Sequence, residues 1–94
     1  SDADMGTKEK LIERFLSQPS DFTYSEVVRL FGIFNYTERQ KGATSGSRVE
    51  FVSADGKRSF IMHKPHPSNI IKRYAMRQIM TYLIDNTNLK SMKQ

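Results

Sequence analysis

Residues 48–63 read Arg-Val-Glu-Phe-Val-Ser-Ala-Asp-Gly-Lys-Arg-Ser-Phe-Ile-Met-His, and their pattern decides the fold. From Arg48 to Ala54 the side chains alternate, with Val49 and Phe51 on one side and Arg48, Glu50 and Val52 on the other. That is the period of a strand with one buried face. Asp55-Gly56 is a two-residue hairpin signal, and Lys57 to His63 supplies the returning strand. Upstream, Ile33 to about Gln40 is aromatic and β-branched enough for a third strand, followed by a loop of small residues from Lys41 to Gly46. The three strands make an antiparallel meander.

Helices flank it. Thr7 is placed to cap a first helix carrying Leu11, Ile12, Phe15 and Leu16 on one face, and Gln18-Pro19 ends it. Ser1 to Gly6 are small, acidic and unpatterned and read as a frayed or added terminus, leaving 7–94 as one domain. A second helix starts at Thr23, with Glu26 completing a capping box and Phe22 set to staple against Val27. Val27, Val28, Leu30 and Phe31 form its apolar face, and Gly32 is expected to stop it. Lys64-Pro65-His66-Pro67 cannot continue the sheet, since its prolines lack donors. Ser68 or Asn69 then caps a long last helix with Ile71, Ala75, Ile79, Tyr82 and Leu83 buried, leaving Lys72, Arg73 and Arg77 off that stripe. The expected order is α-α-β-β-β-α: an α+β domain with its helices on one face of a three-stranded antiparallel sheet.

Charge is unevenly spread along this framework. The chain has 94 residues and a net charge of +5, yet between Gly56 and Ile84 there is no Asp or Glu. Lys57, Arg58, Lys64, Lys72, Arg73, Arg77, His63 and His66 all fall in that window. A local excess of cations can neutralise a row of phosphates, which points to nucleic acid. With no cysteine, disulfide scaffolds and thiolate chemistry are excluded. No apolar run is long enough to span a membrane and no signal-peptide pattern opens the chain, so the cytoplasm is the expected location.

Cleaving RNA without a metal requires a base for the 2′-hydroxyl proton, an acid for the leaving oxygen and cations for the charge on phosphorus. Histidine suits the first two roles. His63 ends the third strand and His66 follows in a proline-stiffened turn beside Lys64. Their spacing could hold a metal, but no carboxylate or cysteine lies nearby, and neither metal nor cofactor is expected. Gly42 and Gly46 with the residues between them resemble a phosphate-cradling loop only loosely. Tyr24, Tyr36, Tyr74 and Tyr82 could stack on bases, but at these spacings most of them read as core or half-buried.

Phe15 to Leu83 resembles the HicA family of toxins, small proteins of a double-stranded-RNA-binding-domain (dsRBD)-like fold that cleave messenger RNA and are held by a HicB antitoxin. The resemblance rests on three segments. Leu11 to Leu16 followed by Phe22 to Leu30 is similar to a variant with an added first helix. Gly46-Ser47-Arg48, then Val49-Glu50-Phe51, stands where the family has Gly-Ser-His and an aromatic strand. His66-Pro67 and the helix after it are similar to the family's closing segment. The resemblance places the family's catalytic histidine at Arg48, which stays protonated near pH 7 and cannot serve as a general base. Arg48 can still bind phosphate and stabilise a transition state. Three explanations follow: His63 or His66 is the base; the chain is a diverged member that binds RNA without cutting it; or the residue was changed to silence toxicity. The candidate catalytic residues are accordingly Arg48, His66 and His63. Lys41, Ser47, Lys57, Arg58, Lys64, Lys72, Arg73 and Arg77 are the candidate RNA-binding set. The implied partners are messenger or other single-stranded RNA and a HicB-like antitoxin. The alternative is a catalytically inactive RNA-binding or antitoxin-interaction module of the same fold.

Overall fold

In the computed structural model, which describes residues 2–40 and 47–92 and the side chains within 7–40 and 47–91, the hairpin anchors the architecture. Strands β2 (Arg48–Ser53) and β3 (Ser59–His63) pair antiparallel, with Val49 opposite Met62 and Phe51 opposite Phe60. Strand β1 (Tyr36–Gln40) pairs antiparallel with β2 on the other side, giving the order β1-β2-β3. Helices α1 (Asp2–Leu16) and α2 (Tyr24–Ile33) precede the sheet; α3 (Arg73–Asn86) and a short α4 (Leu89–Met92) follow it. The fold is α+β in the expected order, with α4 added at its end.

One apolar cluster joins the helices to one face of the sheet. Phe15, Phe22, Leu30, Phe31, Ile79 and Leu83 are fully buried with Val49 and Phe51. Phe31 is at its centre, stacked on Phe51 with centroids 4.3 Å apart and planes 4° apart. Phe60, Tyr36 and Tyr82 surround it at 5.4–6.2 Å. On the other face, Arg39, Arg48, Ile61 and His63 are exposed.

Several boundaries differ from the sequence reading, most of them for a local reason. Helix α1 begins at Asp2 and includes Thr7, instead of being capped by it. Gly32 lies inside α2. The stop comes at Asn35, whose φ of 68° takes the left-handed position that ends many helices. Strand β1 therefore starts at Tyr36. The hairpin loop is longer than two residues: Ser53 N–H donates to Arg58 O, leaving 54–57 as the loop, with Gly56 at φ 73°. The Asp55 carboxylate accepts from Ser53 Oγ and Lys57 N–H, which lower its pKa in that order. Helix α3 starts at Arg73, not after Ser68 or Asn69. Ile70 is held extended opposite Thr23, with Asn69 O accepting from Tyr24 N–H and Phe22 O from Ile71 N–H. Met76 is buried in α3, while Ala75 and Tyr82 are half-buried.

The α2 capping box forms as expected. Glu26 N–H donates to Thr23 Oγ1 and Thr23 N–H to Glu26 Oε1. Arg14 reaches across from α1 with Nε and Nη2 on the two Glu26 carboxylate oxygens at 2.8 and 3.1 Å. It also pairs with Asp21 at 3.1 Å. The Arg14 hydrogen bond, with help from the Thr23 N–H, lowers the Glu26 pKa from 4.5 to about 2. The group's pKa is depressed on folding, so its stabilisation is complete above about pH 4.5 and is lost as pH falls toward 2. Because Arg14 is partly exposed, the effect is expected to be about 1 kcal/mol. Wild-type protein should therefore lose that much more stability between pH 5 and pH 2 than Glu26→Gln, read from urea midpoints. Equal losses would contradict the assignment.

Candidate nucleic-acid interface

The site forms where β2 begins and β3 ends. Arg48 and His63 are direct cross-strand partners on the open face of the sheet. The ladder bonds Lys64 N–H to Ser47 O and Ser53 N–H to Arg58 O, so hydrogen-bonded pairs alternate from there. Arg48 and His63 fall on a non-hydrogen-bonded pair, the kind in which Cα atoms are about 4.5 Å apart and side chains are closest. Ser47 Oγ lies 3.3 Å from His63 Nδ1. In the tautomer whose Nδ1–H donates to Ser47, Nε2 carries the lone pair and can accept a proton.

Lys64 follows immediately. Its Nζ lies 5.6 Å from the centroid of the Tyr24 ring, a cation–π arrangement on the helix side of the sheet, since Tyr24 packs against Phe51 of the buried face. Tyr24 is held in turn by its hydroxyl, which donates to Glu38 Oε2 at 2.5 Å. Burial and that hydrogen bond push its phenol well above the usual range, so it stays a neutral donor. The chain then turns through a cis His66-Pro67 bond. A hollow of about 130 Å³ opens between this turn and α3, lined in part by His63, Lys64, His66, Lys72 and Tyr74. It is smaller than sites for drug-sized ligands and suits one phosphate or one side chain.

The structure thus brings together Ser47, Arg48, His63, Lys64, His66 and Lys72. Arg73 and Arg77 continue along exposed positions of α3, four residues apart and on one side of the helix. Lys57 and Arg58 do not join this group. They sit at the other end of β3, seven and six residues from Lys64, or about 20 Å along the strand. There Arg58 donates to Asn86 O at 3.2 Å. The acid-free window therefore runs the length of a surface and is not one patch. Lys41 and the Gly42–Gly46 loop lie outside the described residues.

Sequence reading missed Tyr74, which is 58% exposed and lines the hollow with both histidines. The signal was available, because Tyr74 is about 140–180° around the helix from Ile79 and Leu83. Among the described residues, no group of three or more His, Asp or Glu is arranged to hold a metal ion. No described helix is long and apolar enough to cross a membrane. Compared with protein-family models, curated proteins and solved structures, the chain matches none.

Proposed function

We propose that this chain is a HicA-like toxin of dsRBD-like fold that binds RNA and cleaves it without a metal. The observation that carries the reading is the pairing of Arg48 with His63 across the open face of the sheet. Where the resemblance places the family's catalytic histidine, this chain has a cation and, directly beside it, an imidazole. The work of one residue is divided between two. His63 Nε2 takes the 2′-hydroxyl proton as that oxygen attacks phosphorus. The bond from phosphorus to the 5′-oxygen breaks, and protonated His66 gives the leaving oxygen its proton. The products are a 2′,3′-cyclic phosphate and a free 5′-hydroxyl. Arg48 and Lys64 balance the charge on the non-bridging oxygens. A HicB-like antitoxin covering this basic face is the proposed protein partner.

Incubating the pure protein with RNA in excess chelator tests the reading. Cleavage to cyclic-phosphate ends supports it, and intact RNA with retained binding rejects the enzyme. Arg48 itself favours a second reading, a non-cleaving RNA-binding or antitoxin-interaction module, which that result would select. Binding should fall steeply with salt in either case. If Arg48, Lys64, Lys72, Arg73 and Arg77 each meet a phosphate, the log–log slope on single-stranded RNA is about −3.5. Lys57→Ala with Arg58→Ala should leave that slope nearly unchanged. A slope near zero would exclude phosphate recognition by this surface.

A further inference from the structure

Strand β3 is an edge of the sheet, and the hydrogen-bond alternation decides which of its backbone groups are free. Arg58 and Lys64 bond to β2, so Phe60 and Met62 between them point their N–H and C=O groups the same way. Ser59, Ile61 and His63 point theirs outward. No described residue pairs with them. Natural edges are commonly blunted by charge, and β1 carries Glu38 and Arg39, whereas β3 reads Ser-Phe-Ile-Met-His with no Lys, Arg, Asp or Glu.

Helix α3 runs along this edge. Phe60 meets Tyr82 at 5.0 Å, and the 130 Å³ hollow lies between Met62 and His63 of β3 and Tyr74 and Ala75 of α3. A second depression continues along the same side of α3 past Tyr74, Gln78 and Tyr82 to Asn86. At that end Arg58 bridges from the hairpin to Asn86 O. An unpaired strand edge thus lies beside α3, with the hollow shared between them at the His63 end and the second depression lined by α3 alone. The three large apolar side chains exposed on the described surface, Ile61, Tyr74 and Ile84, all belong to these two elements.

We propose that the β3–α3 groove binds an extended, acidic peptide segment of a partner protein, which adds to β3 as a fourth strand. The backbone of Ser59, Ile61 and His63 supplies the pairing groups, as in other strand-addition sites. Charge selects the occupant. Lys64 and Lys72 stand at one end and Arg77 along the helix wall, while Asp85 is the one acid lining the depressions beside the groove. Alternate side chains of the added strand point to opposite faces. One set, facing α3, would place carboxylates against Lys64, Lys72 and Arg77, and the other would lay apolar groups beside the exposed Ile61 on the open face. This mode uses the edge of the sheet, and it stands or falls independently of cleavage at Arg48 and His63.

The test is selection of a displayed library of random ten-residue peptides against the whole chain, followed by amide NMR mapping of a winning synthetic peptide. Enrichment of peptides alternating acidic and apolar residues is expected. The Ser59, Ile61 and His63 amides should shift and exchange more slowly with solvent. Ile61→Lys, at an exposed position, and Ile61→Pro, which removes only an outward N–H, should each weaken binding at least tenfold. Circular dichroism identifies a variant that fails to fold, and Ile61→Lys is the safer of the two. A version of the peptide N-methylated at alternate residues keeps the charge and loses the pairing groups. Equal binding by that version would overturn the proposal. So would winners that are not acidic, shifts confined to the open face at Arg39 and Arg48, or protection of these amides by RNA or self-association without peptide.

Discussion

Changing His63 to Gln is expected to slow RNA cleavage by about 10²–10⁴-fold, the usual contribution of a general base, and to leave RNA affinity nearly unchanged. The reasoning rests on position. His63 ends β3 with its ring on the open face, beside Arg48 and 3.3 Å from Ser47 Oγ. Glutamine fills similar space and can keep a hydrogen bond to Ser47, so the strand pairing and the cations around it persist. What it cannot do is take a proton. Arg48→Ala should behave differently, weakening affinity and turnover together, because in the proposed function it would remove a phosphate contact made in both the ground state and the transition state. Cleavage is followed by separating RNA fragments under single-turnover conditions, and affinity by fluorescence anisotropy at fixed salt. If His63→Gln cuts at the wild-type rate while His66→Gln does not, the base is in the turn and the division of labour across β2 and β3 is wrong.

That site was partly legible from the chain alone, and the boundary between the legible and illegible parts is physical. Local signals held where they were short-range and redundant. The Thr23–Glu26 box closes within three residues and forms as read, and the alternation around Phe51 set both faces of β2. The start of α3 failed because competing partners were far away in sequence. Ser68 and Asn69 are good caps in isolation, but pairing with Phe22 and Tyr24 holds Ile70 and Ile71 extended, and the helix cannot begin until Arg73. The end of α2 failed for a subtler reason. Gly32 is a permitted stop, but Asn35 can also take the left-handed conformation three residues later, which lets Ile33 join the helix. The grouping of basic residues was misjudged through strand length. Charge density along the sequence puts Lys57 and Lys64 in one window, while an extended strand holds them at opposite ends of the sheet. The pairing of Arg48 with His63 is 15 residues apart in sequence and depends on a hairpin loop of 54–57. A two-residue loop at Asp55-Gly56 would have set Arg48 opposite His63 as well, so that contact could have been read from the hairpin signal.

The largest stability effect is expected at Phe31, where removal of the side chain should cost about 3–5 kcal/mol. Phe31 is fully buried and its ring is stacked on Phe51, with Tyr36, Phe60 and Tyr82 around it. Phe31→Ala therefore leaves a void touched by all three strands and by α3, and no single neighbour can relax to fill it. Tyr82 is constrained further, because its hydroxyl is 2.9 Å from that of Tyr36; burial and this bond push the Tyr82 phenol up, so it remains a neutral partner. A domain of this length has a total stability of roughly 5–14 kcal/mol, so the loss is a large share of it. At about 4–8 °C per kcal/mol, Tm should fall by roughly 12–40 °C. Phe31→Leu keeps most of the volume and should cost about 1–1.5 kcal/mol. The pair is compared by urea denaturation, where an unchanged slope with a lower midpoint locates the effect in the native state. A loss below about 1 kcal/mol for Phe31→Ala would mean that the helices are held on the sheet mainly through Phe15, Phe22 and Leu83. The aromatic cluster also sets the chemistry above it: Phe51 packs against Tyr24 at 6.3 Å, and Tyr24 carries Lys64 on its ring. A cavity at Phe31 should thus loosen the Lys64 ammonium, and RNA affinity of any folded Phe31→Leu protein should drop with it while Lys57 and Arg58 variants remain neutral.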